Sequence, residues 1–201
     1  MFSGIIEQVG RVTKVEREGT NIHFTIKAPM ASDLKIDQSV CHDGVCLTVV
    51  WVDKKNLSYR VTAIDETLNR TCLKNWKDAY EVNLERSVPV NGRFDGHIVQ
   101  GHVDQIGIVT KIEVLDGSWK YFIEYNPTYG NITVEKGSIA VNGVSLTVVD
   151  SIKNLFSVAI IPYTYENTNF HNFDIGTIVN LEFDIIGKYI KKILEEYEII
   201  K

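Results

Sequence analysis

The sequence has little of what marks several classes of protein. Among its 201 residues there are three cysteines, and Lys and Arg never occur more than two in a row. An odd number of cysteines without a scaffold-like spacing does not fit a disulfide-stabilised secreted domain, so we expect free thiols and a cytoplasmic protein. The net charge of −5 and the lack of a basic cluster argue against a nucleic-acid partner.

Long apolar segments are also missing. No apolar run approaches the ~18 residues of a membrane span, so no membrane partner is expected. The start of the chain, MFSGIIE, has no basic region and reaches Glu7 early, unlike a signal peptide. Hydrophobic residues make up 44% and charged residues 23% of the chain, which excludes a disordered or collagen-like protein.

What the sequence does contain is an internal repeat. Residues 2–16 match residues 99–113 at seven of fifteen positions, and residues 38–50 match residues 137–149 at seven of thirteen. A third block, VNLE, occurs at residues 82–85 and again 97 residues later. Three blocks in one order indicate a tandem duplication of a unit of roughly ninety residues.

In each half, short segments rich in β-branched residues are separated by Gly, Asn, Asp and Lys. This pattern predicts about six short strands per half. This pattern is typical of a small barrel or sandwich. Residues 86–95, which include Pro89 and Gly92, predict a linker. We therefore expect an N-terminal barrel over residues 1–90 and a C-terminal barrel over residues 91–186.

The last segment, residues 187–201, has no copy in the first half and predicts a helix after Gly187. Apolar residues recur there at helical spacing: Tyr189, Ile190, Ile193, Leu194, Tyr197 and Ile200. Two interpretations stay open. The apolar face packs on the adjacent barrel, or it mediates self-association.

The repeated strand offers the first candidates for chemistry. In GVSLTVV, period two places Val144, Leu146 and Val148 on the core face and turns Ser145 and Thr147 outward. The matching GVCLTVV turns Cys46 and Thr48 outward. These side chains are either ordinary surface residues or a matched functional pair, and cysteine is an unusual residue on a wetted face.

The segment 96–104, GHIVQGHVD, offers the second. His102 matches Ile5 in the repeat, so it is special to the second half. On a strand, Asp104 would share its face and could hold the imidazole. Alternatively, Asp104 is a structural acid of the repeat, since it matches Glu7, and His102 is structural too. With no HExxH or CxxC motif, a metal site is not expected.

The third candidate is a pair of threonines in each half, Thr67 with Thr71 and Thr164 with Thr168. A threonine that opens a short helical turn would expose backbone N–H groups suited to an anionic or carbonyl-rich ligand. The sequence has no Walker loop, no GxGxxG and no GxSxG, so nucleotide binding and α/β-hydrolase chemistry have no support.

Taken together, MFSGII, GVCLTVV, GVSLTVV, GHIVQGHVD, ETLNRT and VNLER resemble the riboflavin synthases of the α-chain type, essentially from end to end. The resemblance implies an all-β fold of two six-stranded Greek-key barrels, a C-terminal trimerisation helix and a homotrimer. It implies a dismutation without a cofactor. Two molecules of 6,7-dimethyl-8-ribityllumazine give riboflavin and 5-amino-6-(ribitylamino)uracil by transfer of a four-carbon unit.

The resemblance also implies site residues. The ligand contacts are Gly4, Ile5, Ile6, Cys46, Leu47, Thr48, Thr62, Ala63, Ile64, Asp65, Glu66, Thr67, Gly101, His102, Val103, Lys136, Ser145, Leu146, Thr147, Ile161, Pro162, Tyr163, Thr164, Tyr165 and Glu166. The candidates for chemistry are Phe2, Cys46, His102, Ser145, Thr147 and Asp184. The sequence departs from the family pattern at Ser3, Asp95 and Tyr163, and Tyr163 stands where the family usually has Glu.

The alternative function is a lumazine protein, a non-catalytic relative that binds one lumazine or flavin as an optical antenna. A flavin-storage module is a third. The polar residues of the second half favour the enzyme: His97, His102, Lys136, Ser145 and Thr147. Which barrel binds the four-carbon donor, and whether a trimer docks in a lumazine synthase shell, stay open at this point.

Overall fold

The computed structural model describes residues 1–197 and contains two closed, six-stranded antiparallel barrels. The first barrel comprises β1 (Gln8–Glu18), β2 (Asn21–Lys27), β3 (Ser39–His42), β4 (Val45–Asp53), β5 (Ser58–Ala63) and β6 (Glu81–Arg86). The second comprises β7 (Gln105–Leu115), β8 (Ser118–Tyr125), β9 (Ser138–Val141), β10 (Val144–Ile152), β11 (Leu155–Ile160) and β12 (Ile178–Phe183). Both close in the same strand order, so the expected pair of similar six-stranded barrels is confirmed.

Short helices connect the strands at matching places. Helix α1 (Asp65–Arg70) follows β5, and α2 (Pro162–Asn167) follows β11. Each is continued by a 3-10 helix, Cys72–Asn75 or Asn169–Asn172, and further 3-10 turns lie at Pro29–Ser32 and Pro127–Tyr129. Helix α3 (Ile185–Glu196) ends the described chain.

Alternation along the strands fills each barrel with apolar side chains. The first core includes Phe24, Val49 and Tyr59, and the second includes Ile123 and Phe156, all fully buried. Bulges shift the register at Val12/Lys14 in β1 and at the equivalent Val109/Lys111 in β7. Bulges bend strands and increase their twist, which lets a small sheet close on itself.

A polar network joins the two barrels through residues that match in the repeat. The Asn83 side chain donates to the Asn142 carbonyl at 3.0 Å, and the Asn180 side chain donates to the Asp43 carbonyl at 2.8 Å. Asn83 matches Asn180, and Asp43 matches Asn142. The barrels are therefore related by a pseudo-two-fold axis, with each asparagine reaching into the other half.

The C-terminal helix begins at Ile185 rather than after Gly187, because Asp184 caps it by accepting a hydrogen bond from Ile186 N at 2.9 Å. Lys191 of α3 donates to Gly130 O at 2.6 Å, so the helix contacts its own barrel. Tyr189 and Ile193 nevertheless stay 66% and 52% exposed. Ile200 lies outside the described residues.

Residues 87–95, between the barrels, carry little secondary structure and are largely exposed. The domain boundaries at residues 90 and 186 stay predictions. No helix within residues 1–197 is long and apolar enough to cross a lipid bilayer.

Candidate functional site

The outward-facing pairs on the repeated strand lie as the sequence predicts. On β4, Cys46 is half-buried and Thr48 is exposed. On β10, Ser145 is likewise half-buried and Thr147 exposed. The core-facing residues of both strands are buried, except that Leu146 is only half-buried against the second core. Each barrel therefore presents one sulfur or oxygen nucleophile and one threonine on its outer face.

The segments that precede the barrels are exchanged between them. We call residues 1–7 the first arm and residues 96–104 the second arm. Ser145 N donates to Gly4 O at 2.8 Å, so the first arm lies on β10 of the second barrel. Cys46 N donates to Gly101 O at 2.8 Å, so the second arm lies on β4 of the first barrel. Each outward pair therefore has the arm of the other half beside it.

Glycine is required at both contacts for two reasons. Gly4 and Gly101 have φ angles of 77° and 80°, a region that other residues rarely adopt. A Cβ on Gly4 would lie 2.6 Å from the Cβ of Ser145, and one on Gly101 would lie 2.6 Å from the Cβ of Cys46. The arms can approach the strands this closely only because neither glycine has a side chain.

Two buried carboxylates hold the arms. Glu85 accepts hydrogen bonds from Ser3 N at 2.6 Å, Ser3 Oγ at 2.9 Å and Gly4 N at 3.0 Å. Glu182 accepts from the N–H groups of Gln100, Gly101 and His102 at 2.6, 2.9 and 2.9 Å. Burial raises the pKa of both carboxyls, and the donated hydrogen bonds oppose that shift. The repeated VNLE block thus fixes the arms.

Phe2 lies where the two arms meet. It is fully buried in a small cluster with Cys41, Val99 and Ala140, and half-buried Cys46 packs against this cluster. The Phe2 ring also closes on Gly101, whose missing Cβ would lie 3.0 Å from Phe2 Cε2. Phe2 thus supports the first-barrel site from behind and is not exposed to a ligand in solvent.

The structure brings His97 to Ser145, a contact that the sequence reasoning missed. His97 Nδ1 lies 2.6 Å from Ser145 Oγ. Burial lowers the pKa of His97, and the charge of Asp184 opposes this. His97 therefore favours the neutral imidazole that can accept a proton. The repeat gave no signal for His97, since its counterpart would precede residue 1.

Of the two interpretations of Asp104, the structure contradicts the one that pairs it with His102. Residues 101–104 do not form a strand, and the Asp104 carboxylate accepts from Phe183 N at 2.9 Å and pairs with Lys188 Nζ at 2.6 Å. Glu7 makes the equivalent contact with Arg86 N at 2.7 Å. Asp104 is thus the structural acid of the repeat, and the His102 side chain is exposed.

The threonine pairs do form short helical turns, but the second threonine opens each one. Thr71 Oγ1 accepts from Leu73 N at 3.4 Å and Thr168 Oγ1 accepts from Phe170 N at 3.3 Å. These N–H groups are buried and used, so the predicted exposed donors are wrong. Thr67 lies inside α1 and Thr164 inside α2. Their backbone carbonyl oxygens accept hydrogen bonds from the hydroxyls of Thr71 and Thr168, respectively.

The remaining predicted contacts surround the same two strands. Thr62 on β5 is half-buried and bonds His23 Nδ1 at 2.9 Å, and Ala63 beside it is buried. Val103 packs against the first core and Ile6 against the second, which extends each arm contact. Exposed side chains follow β5 and β11, namely Ile64, Asp65, Glu66, Ile161, Pro162, Tyr163 and Glu166. Lys136 is exposed in a loop, and its N–H donates to Val148 O.

The two barrels differ in one pair of residues that pack against their cores. Trp119 stacks on Tyr165 with ring centroids 3.9 Å apart and an interplanar angle of 5°. The equivalent residues of the first barrel are Ile22 and Leu68, both buried aliphatics. The two barrels therefore share a backbone plan and differ in aromatic content at this position.

Within residues 1–197, no group of three or more His, Cys, Asp and Glu side chains could hold a metal ion. The two barrels with exchanged arms define a protein of paired binding modules. The family model that matches is the lumazine binding domain, once over residues 3–87 and again over residues 100–184.

Relatives make the assignment more specific. The riboflavin synthase of Actinobacillus pleuropneumoniae is 43% identical over 195 residues, which cover 96% of this chain and 90% of that protein. The riboflavin synthase of Bacillus amyloliquefaciens is 36% identical over 98% of this chain and 92% of its own. This chain belongs to the riboflavin synthase family.

Among solved structures, LumP complexed with 6,7-dimethyl-8-(1'-D-ribityl) lumazine superposes with a TM-score of 0.81. Its sequence is 20% identical, and the match covers 90% of this chain and 98% of that one. At this identity the likeness shows a common fold.

Proposed function

We propose that this protein is a riboflavin synthase that converts two molecules of 6,7-dimethyl-8-ribityllumazine into riboflavin and 5-amino-6-(ribitylamino)uracil. One observation carries the proposal. The chain holds two similar sites, each formed by an outward polar pair and the glycine-containing arm of the other half. A duplicated site suits a reaction that consumes two copies of one molecule.

The reaction needs a base that removes a proton from the C7 methyl group of one lumazine. His97 and Ser145 supply a suitable pair, because a neutral imidazole 2.6 Å from a hydroxyl can accept its proton. Thr147 extends from the same face of β10, and Asp184 provides a negative charge near His97. We assign the second barrel the acid–base work on this ground.

The reaction also needs a nucleophile that adds to C7 of the other lumazine. Cys46 occupies the first-barrel position equivalent to Ser145, and its thiol is the stronger nucleophile near neutral pH. Thr48 lies on the same face, and the second arm, which carries exposed His102, contacts β4 through Gly101. We assign the first barrel the role of holding the lumazine that this nucleophile attacks.

Much of the rate acceleration then comes from holding two flat molecules in one orientation. Proximity and orientation alone supply roughly 7–11 kcal/mol in favourable intramolecular reactions. The ligand contacts would be the arm residues Gly4–Ile6 and Gly101–Val103, the outward strand residues, and the segments 62–67 and 161–166. Lys136 would complete the second site. The reaction is proposed to need no cofactor.

We further propose a cytoplasmic homotrimer in which the first-barrel site of one subunit faces the second-barrel site of its neighbour. The exposed apolar residues of α3, such as Tyr189 and Ile193, support self-association through this helix. The division into domains at residues 90 and 186 belongs to the same proposal. Docking inside a lumazine synthase shell is a separate question, which co-purification with that protein would answer.

The experiment is turnover by the purified protein with the lumazine and no added cofactor. The expected result is one riboflavin and one pyrimidine for every two lumazines consumed. Chromatography and flavin fluorescence measure the products. Saturable binding of the lumazine without product would contradict the proposal and indicate a non-catalytic antenna protein.

A further inference from the structure

The first barrel carries two thiols on adjacent strands. Cys41 on β3 and Cys46 on β4 are direct cross-strand partners in the hairpin that turns at Asp43 and Gly44. Cys46 N points away from Cys41 and donates to Gly101 O, so the two residues form a non-hydrogen-bonded pair. Cα atoms of such pairs lie about 4.5 Å apart, within the range that a disulfide spans.

Both side chains lie on the same face and contact the same cluster. Cys41 belongs to the buried cluster of Phe2, Val99 and Ala140, and Cys46 packs against it from the half-exposed side. In the second half, the equivalent positions hold Ala140 and Ser145, also as cross-strand partners. The thiol pair is therefore confined to the first barrel, and the repeat itself provides natural replacements for both residues.

We propose that Cys41 and Cys46 form a peroxide-sensitive modification site, in which Cys46 is oxidised first and Cys41 then closes a cross-strand disulfide. Two thiols in register, one accessible and one behind it, are the arrangement that this chemistry needs.

The two steps balance with a peroxide as the oxidant. The Cys46 sulfur attacks one oxygen of hydrogen peroxide, an S–O bond forms, the O–O bond breaks, and a sulfenic acid and water result. The Cys41 sulfur then attacks the Cys46 sulfur, and the S–S bond forms as the S–O bond breaks. The hydroxyl leaves as a second water with the proton of Cys41. The thiols lose two electrons, and the peroxide gains them.

The order of the steps follows from burial. Cys41 is 1% exposed, and burial raises the pKa of its thiol, with the nearby carboxylates Glu85 and Glu182 adding to the shift. A buried, protonated thiol is a poor target for peroxide in solution, so half-exposed Cys46 reacts first. Cys41 needs only to reach its cross-strand neighbour.

The functional consequence rests on the proposed function. A disulfide removes the Cys46 thiol from the outward pair of the first site and ties β4 to β3. Peroxide should then suppress turnover reversibly, and dithiothreitol should restore it.

The test follows the thiols directly. The full-length protein is treated with hydrogen peroxide, alkylated after denaturation and digested with trypsin. Cys41 and Cys46 share the peptide of residues 36–54, and Cys72 lies on the separate peptide 71–74. We expect the first peptide to become two hydrogen atoms lighter and to resist alkylation until dithiothreitol is added, while Cys72 stays alkylatable. Two of the three thiols are then lost.

Cys41→Ala, which copies Ala140, is the matched control. Its Cys46 should proceed to sulfinic or sulfonic acid, and turnover lost to peroxide should not return with dithiothreitol. In the unsubstituted protein, an alkylatable Cys41 beside an over-oxidised Cys46, a disulfide between two chains, or unchanged thiols would each overturn the proposal. The peptide masses decide this even for a protein that shows no turnover, so the two proposals can fail separately.

Discussion

Phe2 and Val99, which occupy equivalent positions in the two repeats, hydrogen bond to each other in both directions. Phe2 N donates to Val99 O at 2.7 Å, and Val99 N donates to Phe2 O at 3.1 Å. The pseudo-two-fold axis therefore passes between the two arms. Beyond this contact each arm continues onto the opposite barrel, so neither half of the chain contains all the residues of either proposed site.

Because Gly101 approaches Cys46 closely, a methyl group added at Gly101 should destabilise the protein. Gly101→Ala should lower the free energy of unfolding by more than the ~1–2 kcal/mol that a left-handed backbone costs an alanine, and it should abolish turnover. Gly117→Ala is the matched control, since Gly117 has a φ of 78° with no atom within 4 Å of the added Cβ. Chemical denaturation measures the free energy of unfolding of both variants. If both lose the same amount, the contact between the second arm and β4 does not contribute to stability.

The contact of His97 with Ser145 predicts that His97 contributes more to catalysis than His102. His97→Gln should lower kcat by the ~10²–10⁴-fold of a positioned acid–base group, with KM little changed. Because burial lowers the pKa of His97, the acid limb of the wild-type pH profile should lie below pH 6.5. His102→Gln, on the exposed side of the second arm, is the comparison. A larger loss of kcat there would reverse the assignment.

Asp43 predicts a pH dependence of stability. Burial raises its pKa to about 7, so the folded protein holds this proton more tightly than the unfolded chain. The contribution of Asp43 to the free energy of unfolding is fully present below about pH 4. It falls as the pH rises to about 7, by up to about 1.4 kcal/mol per pH unit. Asp43→Asn should remove that slope, since the equivalent residue is already Asn142 and the Tyr80 hydroxyl can accept from the new amide.

Urea denaturation at pH 5 and pH 8 checks this prediction. The gain of the Asp43→Asn variant over wild type should be larger at pH 8 than at pH 5. Asp116→Asn, in an exposed turn, controls for the loss of one negative charge. Parallel stability curves for wild type and Asp43→Asn would contradict the prediction.

Helix α3 predicts a mutation that separates subunits. Ile193→Lys, on the exposed side of the helix, should convert the proposed trimer into smaller species without unfolding the barrels. Ile152→Lys places the same charge at an exposed isoleucine of the second barrel and should leave the assembly intact. Light scattering with circular dichroism measures both effects, and an unchanged mass for Ile193→Lys would exclude this face as the interface.

The exchanged arms predict how the first half behaves alone. A fragment of residues 1–92 lacks the second arm, but the first arm of another copy can replace it, because Gly4 matches Gly101. We expect a dimeric fragment that binds a lumazine or riboflavin without turnover. Gly4→Ala should prevent the dimer. A monomeric fragment with full ligand affinity, measured by light scattering and fluorescence titration, would refute this.

Local patterns were enough to predict the barrels. Period-two alternation oriented Ser145 and Cys46, and the repeat indicated two similar units. Which barrel each arm lies on was not predictable, because a short irregular segment such as residues 96–104 has no periodicity that points to its partner. The start of α3 is not evident from the sequence because Gly187 suggests a break, whereas the Asp184 cap three residues earlier determines where the helix begins.

The hold of Glu85 on the first arm bears on the order in which the chain folds during synthesis. Gly4 pairs with the backbone of Ser145, which leaves the ribosome long after the first barrel is complete. Glu85 belongs to that first barrel and already binds Ser3 and Gly4. The nascent arm is thus held in its final bend before its partner strand exists, which keeps it from pairing with another exposed strand edge in the interval.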